Sequence, residues 1–191
     1  MRASFLVFCF FLFTLTSCSN IPREADAHAF RYFDFSTVKS YSFYDRNADF
    51  FDYQSLSGVM RNNIELAIEQ ELDLQELNYQ PIEKADVVVS YFWVKGHGKE
   101  LQQYNKGINY CAACLNIKSA TNKQQSQKIA TKADSLIIDI IDPIKKRSVW
   151  RSSYPLKINV KENSQEVQNK IKTAVKQMFK QYAKLRFKDE H

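Results

Sequence analysis

The chain is poor in histidine, glycine and cysteine, and each shortage closes off a class of function. Its three histidines, His28, His97 and His191, are scattered, and only His97 lies near the cysteines Cys111 and Cys114. A four-ligand zinc site is therefore not expected. Three of the four glycines, Gly96, Gly98 and Gly107, fall in one segment, and Gly96-His97-Gly98 lacks the spacing of a dinucleotide or phosphate loop. No strand-to-helix nucleophile motif is present. The longest apolar run, Phe5 to Phe13, is about half the ~20 residues that a membrane-spanning helix needs, and polar chain follows it at once. No internal repeat is apparent.

What is present begins with an address. Met1 and the basic Arg2 precede the apolar run, and small polar residues then lead to a cysteine, which is the order of a secretion signal. The ending Leu15-Thr16-Ser17-Cys18 resembles the bacterial lipobox. That resemblance implies that residues 1–17 are removed and that Cys18 becomes the lipidated first residue, carrying diacylglycerol and an N-acyl chain. Ser19, standing where inner-membrane-retained lipoproteins usually carry Asp, implies the periplasmic face of the outer membrane. Two or three acyl chains on one cysteine, at about 0.8 kcal/mol per buried methylene, form a stable anchor. Beyond this covalent lipid no cofactor is expected.

The remaining chain suits one globular domain; the whole sequence is 45% hydrophobic with a formal net charge of +6, from which the loss of Arg2 with the signal removes one positive charge. A mildly basic surface is common in soluble proteins and also suits anionic lipid. The compartment argues against nucleic acid. Cys9 leaves with the signal and Cys18 takes the lipid, so only Cys111 and Cys114 remain in the domain. In an oxidising periplasm they are expected to form a disulfide.

The stretch 18–29, polar and of mixed charge, reads as a tether, and 30–191 as the domain. Ten aromatics between Phe30 and Tyr53, broken by turn formers, suggest strands over 30–35 and 39–44. Core packing is the simpler use of these rings, and an aromatic ligand groove is the alternative. Met60, Ile64, Ala67, Ile68 and Leu72 recur at helical spacing within 56–77, with Asn78 expected as the left-handed terminator. The run 86–94 is β-branched and aromatic and reads as a central strand. The segment 95–131 is expected to hide a partly formed strand pair. Residues 135–142 and 147–154 read as a β-hairpin. Asn163 with Glu166 gives a capping-box start to a final helix over 164–187, whose apolar stripe includes Val167, Ile171, Val175, Met178 and Tyr182. Lys170, Lys172, Lys176, Lys180 and Lys184 take much of its other side, either solvated or facing anionic headgroups. The fold class expected is α+β, a two-layer sandwich of a mostly antiparallel sheet with two helices on one face.

Tyr32-Phe33-Asp34-Phe35, Ser40-Tyr41-Ser42-Phe43, Ala85-Asp86-Val87-Val88-Val89, the strand Leu136 to Asp142 and Val149-Trp150-Arg151 together resemble the domain-of-unknown-function 4136 family of bacterial envelope lipoproteins. The resemblance spans nearly the whole mature chain. It implies a fold and a compartment but no reaction.

Cys111-Ala112-Ala113-Cys114 is the one motif that could carry catalysis, and it lacks the strand-to-helix frame of a thiol-disulfide oxidoreductase. A structural disulfide is the plainer expectation. Asp139 and Asp142 are three apart on a strand and point to opposite faces, so they are not a catalytic pair. Asp142 is expected to cap the turn and Asp139 to meet Arg151 across the hairpin, with Trp150 a core anchor. No catalytic residue or metal ligand is assigned. The reading is a non-enzymatic outer-membrane lipoprotein with a binding or assembly role and an envelope protein as partner. The alternatives are an auxiliary lipoprotein in lipid or lipopolysaccharide transport, and a periplasmic redox protein using Cys111 and Cys114.

Overall fold

The structure, a computed structural model, describes residues 24–45, 54, 56–95, 98–112, 114–115 and 134–187. In chain order these form β1 (Asp26–Ala29), a 3-10 turn (Phe35–Thr37), β2 (Ser40–Phe43), α1 (Gly58–Asp73), β3 (Asn78–Tyr79), β4 (Val87–Val94), α2 (Gly98–Gly107), β5 (Ser135–Asp142), β6 (Arg147–Pro155) and α3 (Ser164–Arg186). Cys18, the aromatics Phe50, Phe51 and Tyr53, His97, His191 and the polar run Asn122 to Lys128 lie outside the described residues.

The six strands form one sheet in the order β1-β6-β5-β4-β2-β3. The expected α+β class is found, with two differences. The sheet is mixed, because β2 runs parallel to both β3 and β4 while the β4-β5, β5-β6 and β1-β6 pairs are antiparallel. The cause is α1: a helix between two strands carries the chain back to its starting end, so the flanking strands pair parallel. Among the described residues there are also three helices. α1 and α3 pack against each other on the face that carries Tyr91 and Trp150, since Tyr91 donates to Glu65 of α1 and Trp150 meets Phe179 and Tyr182 of α3. α2 covers the opposite face, where Tyr104 stacks on Phe92 at 4.8 Å. The expected strand pair in 95–131 is corrected to this helix over its first part.

Several local expectations also move. Residues 26–29, read as part of the tether, form the edge strand β1, and 30–35 is not a strand. Asp34 caps the 3-10 turn instead, accepting from Ser36 N at 3.0 Å. Phe35 is buried edge-to-face against Tyr182. The left-handed residue ending α1 is Glu76, with φ of 60°, not Asn78, which pairs with Ser40 in β3. Leu77 N reaches back to Leu72 O at 3.1 Å and closes the helix end.

The expectations for residues 135–187 match the structure closely. The β5-β6 hairpin turns where Asp142 Oδ1 accepts from Ile144 N and Lys145 N, at 2.9 and 3.0 Å. Asn163 and Glu166 form the capping box of α3. At the other end of α3, Arg186 donates to Val38 O at 2.6 Å and to Gln75 O, tying the helix to the turn before β2 and to the end of α1. The core fills the sheet-helix layer with Ile64, Ile68 and Leu72 of α1, and with Ile171, Val175, Met178 and Phe179 of α3.

Candidate functional site

Alternation along β4, β5 and β6 sends Ser90, Asp139 and Arg151 to the face opposite α1 and α3, in register across three strands. A register shift between Ile140 and Ile141 brings Ser148 to the same face. The result is a buried polar cluster with Asp139 at its centre. Asp139 Oδ1 accepts from Ser148 Oγ at 2.7 Å and from Arg151 Nε at 2.9 Å. Its Oδ2 accepts from Arg151 Nη2 at 2.9 Å and from Tyr104 Oη at 2.8 Å. The Asp139 side chain is fully buried and that of Arg151 is 4% exposed.

Two rings close the cluster from above. The Tyr110 ring centroid lies 3.5 Å from the guanidinium carbon of Arg151, and that of Tyr104 lies 5.7 Å away. Burial and then the Asp139 carboxylate push the Tyr104 phenol well above its ordinary value, so it stays a donor. Burial opposes the charge on Arg151, but Asp139 more than restores it, and the guanidinium is held above its usual range. Each carboxylate oxygen thus meets two donors and one full opposite charge. The arrangement fixes strand register and seats α2.

Tyr110 is itself positioned by the turn that follows α2. Asn109 adopts φ of 51°, Tyr110 N donates to Asn105 O at 2.8 Å, and Cys111 and Cys114 are joined by a disulfide. Beside this turn, Leu115 is buried. The bridge closes only a four-residue loop, so reduction is expected to lower stability by about 2 kcal/mol at most. Thiol trapping on cells should find the pair fully oxidised; trapped mixed disulfides would instead favour the redox alternative.

The same face holds a groove of about 400 Å³ near the end of α2, lined by Tyr44, Ile82, Val88, Ile108, Ile141 and Pro143, with Glu83 and Lys146 also on it. The early aromatics divide: Phe35 and Tyr41 are buried in the core and Tyr32 is exposed. Among the described residues no group of three or more His, Cys, Asp or Glu side chains is placed to hold a metal ion, and no helix is long and apolar enough to cross a membrane.

Of the residues singled out in the sequence, the structure brings together Asp139 and Arg151, and separates Asp142, which serves the turn. Tyr104, Tyr110 and Ser148 were missed. The spacing Leu101, Tyr104, Ile108 was the available signal, an apolar stripe at helical period.

The family described as a domain of unknown function (DUF4136) matches residues 26–182. Among solved structures, a DUF4136 family protein from Bacteroides thetaiotaomicron is similar with a TM-score of 0.51 at 12% identity, covering 83% of this chain and 96% of that one. A PDZ domain protein from Parabacteroides distasonis aligns with a TM-score of 0.47 at 16% identity, over 83% of this chain and 35% of that one. The PelC dodecamer from Paraburkholderia phytofirmans aligns with a TM-score of 0.37 at 7% identity, over 83% of this chain and 96% of that one. No curated protein matches the sequence.

Proposed function

This chain belongs to the DUF4136 family, and we propose that within it the protein is a non-enzymatic lipoprotein of the outer membrane with a binding or assembly role at the periplasmic face. The observation that carries the reading is the order Arg2, apolar run, Leu15-Thr16-Ser17-Cys18, followed eight residues later by the first strand at Asp26. An anchor this close to the fold holds the domain near the membrane. The non-enzymatic part is supported by the buried Asp139 carboxylate, whose two oxygens accept from Ser148, Arg151 and Tyr104 rather than facing solvent. A protein partner is supported by the short edge strand β3, around which Leu74, Tyr79 and Ile82 are exposed.

Labelled palmitate with density fractionation of membranes tests it. Wild-type protein is expected to take up label and to travel with the outer membrane. Cys18→Ala should abolish labelling and outer-membrane retention together. Label retained in the variant, or wild type free in the periplasm, would overturn the assignment.

A further inference from the structure

Helix α3 carries six basic residues and a single acid, Glu166, which is engaged in the capping box. Lys170 pairs with Glu162 at 2.6 Å, and Arg186 is tied to backbone carbonyls. The other four, Lys172, Lys176, Lys180 and Lys184, are solvent-exposed and recur every fourth residue. Each such step turns about 40° around the helix, so the four form one band roughly 18 Å long on the side away from the core. From the neighbouring helix, Glu71 is the acid that feels Lys176 and Lys180, which leaves the band predominantly positive.

The start of the described chain crosses this helix. Glu24 accepts a hydrogen bond from Gln181 Nε2 at 2.6 Å, and Gln181 sits in sequence between Lys180 and Lys184. Only five residues lie between Cys18 and Glu24, and the six Cα–Cα steps span at most about 20 Å when fully extended. A lipidated Cys18 therefore confines Glu24 to within about 20 Å of the bilayer, and Gln181 is hydrogen-bonded to it. The lysine band is then held at high effective concentration beside the headgroups.

We propose that the exposed face of α3, through Lys172, Lys176, Lys180 and Lys184, docks on the anionic phospholipid headgroups of the membrane that holds Cys18. The inference rests on the lipid-anchor reading and adds an orientation to it: α3 faces the bilayer, while the α2 face of the sheet, with its groove, faces the periplasm. Lysines near an anionic surface each strengthen binding by about fivefold at modest ionic strength, and salt removes the effect.

The test uses lipidated protein reconstituted into vesicles of phosphatidylcholine alone or with phosphatidylglycerol, each doped with headgroup-nitroxide lipid. A fluorophore is attached at Thr173→Cys on the lysine face, or at Lys145→Cys in the β5-β6 turn as control. Quenching of the Thr173 probe should be several-fold stronger in the anionic vesicles than in the neutral ones. It should be lost in high salt and in the variant K172Q/K176Q/K180Q/K184Q, with the Lys145 probe unaffected throughout. Quenching that ignores lipid charge, or that is equal at both probes, overturns the proposal while leaving the anchor intact. So does a band that instead retains an acidic protein without headgroup quenching. If palmitate labelling of wild type fails, anchor and docking fall together.

Discussion

Replacing Asp139 by alanine is expected to cost about 3–5 kcal/mol of folding stability, read as a fall in the urea midpoint by circular dichroism. The size follows from what is left behind. Arg151 keeps its positive charge beneath Tyr110 with no counter-ion, and Ser148 and Tyr104 lose the carboxylate they donate to in a site that solvent does not reach. Asp139→Asn should recover only part of the loss, because the amide keeps the shape and an acceptor but not the charge. The double change Asp139→Leu with Arg151→Met should be milder than Asp139→Ala alone, since no buried charge remains unpaired. If Asp139→Ala costs less than about 1 kcal/mol, solvent must enter beneath α2 and the sealed-cluster reading fails.

The Asp139-Arg151 pair was legible in the sequence because both residues flank one turn, and hairpin register follows from turn position. The rest of the cluster was not. Ser148 joins it only through the register shift at Ile140 and Ile141, which no side-chain pattern announces. Tyr104 was hidden because Gly96, Gly98 and Gly107 made the segment read as loop, although a ten-residue helix runs from Gly98 to Gly107. β1 escaped for a different reason: Asp-Ala-His-Ala has little intrinsic strand preference, and its pairing with β6 is imposed by tertiary contact. The parallel pairing of β2 with β4 could have been deduced from the strand-helix-strand order alone. α3 was legible throughout, cap, stripe and lysines together, because a long amphipathic helix states its period many times over.

Trp150→Ala is the second large expected loss, about 3–5 kcal/mol, and it acts on the other face of the sheet. Trp150 is fully buried, with its ring centroid 5.2 Å from Tyr182 and 5.7 Å from Phe179. Tyr182 in turn meets Phe35, so one indole joins β6, α3 and the 3-10 turn. Trp150→Phe should cost much less, because a phenyl ring keeps most of the contact and removes an indole N–H that is buried without an acceptor. Fluorescence can separate the sites. The other tryptophan, Trp93, lies with Lys95 Nζ 4.8 Å from its ring centroid, so the emission lost in Trp150→Ala reports the α3 seat alone. Amide exchange should then rise along α3 ahead of β4 and β5, because the helix loses its main aromatic contact with β6 while those strands keep their neighbours on both sides. Unchanged protection of α3 beside a lowered urea midpoint would assign Trp150 to the sheet instead. The distinction bears on the lysine band: four lysines can act as one surface only while the buried side of the same helix is fixed, and Trp150 fixes it.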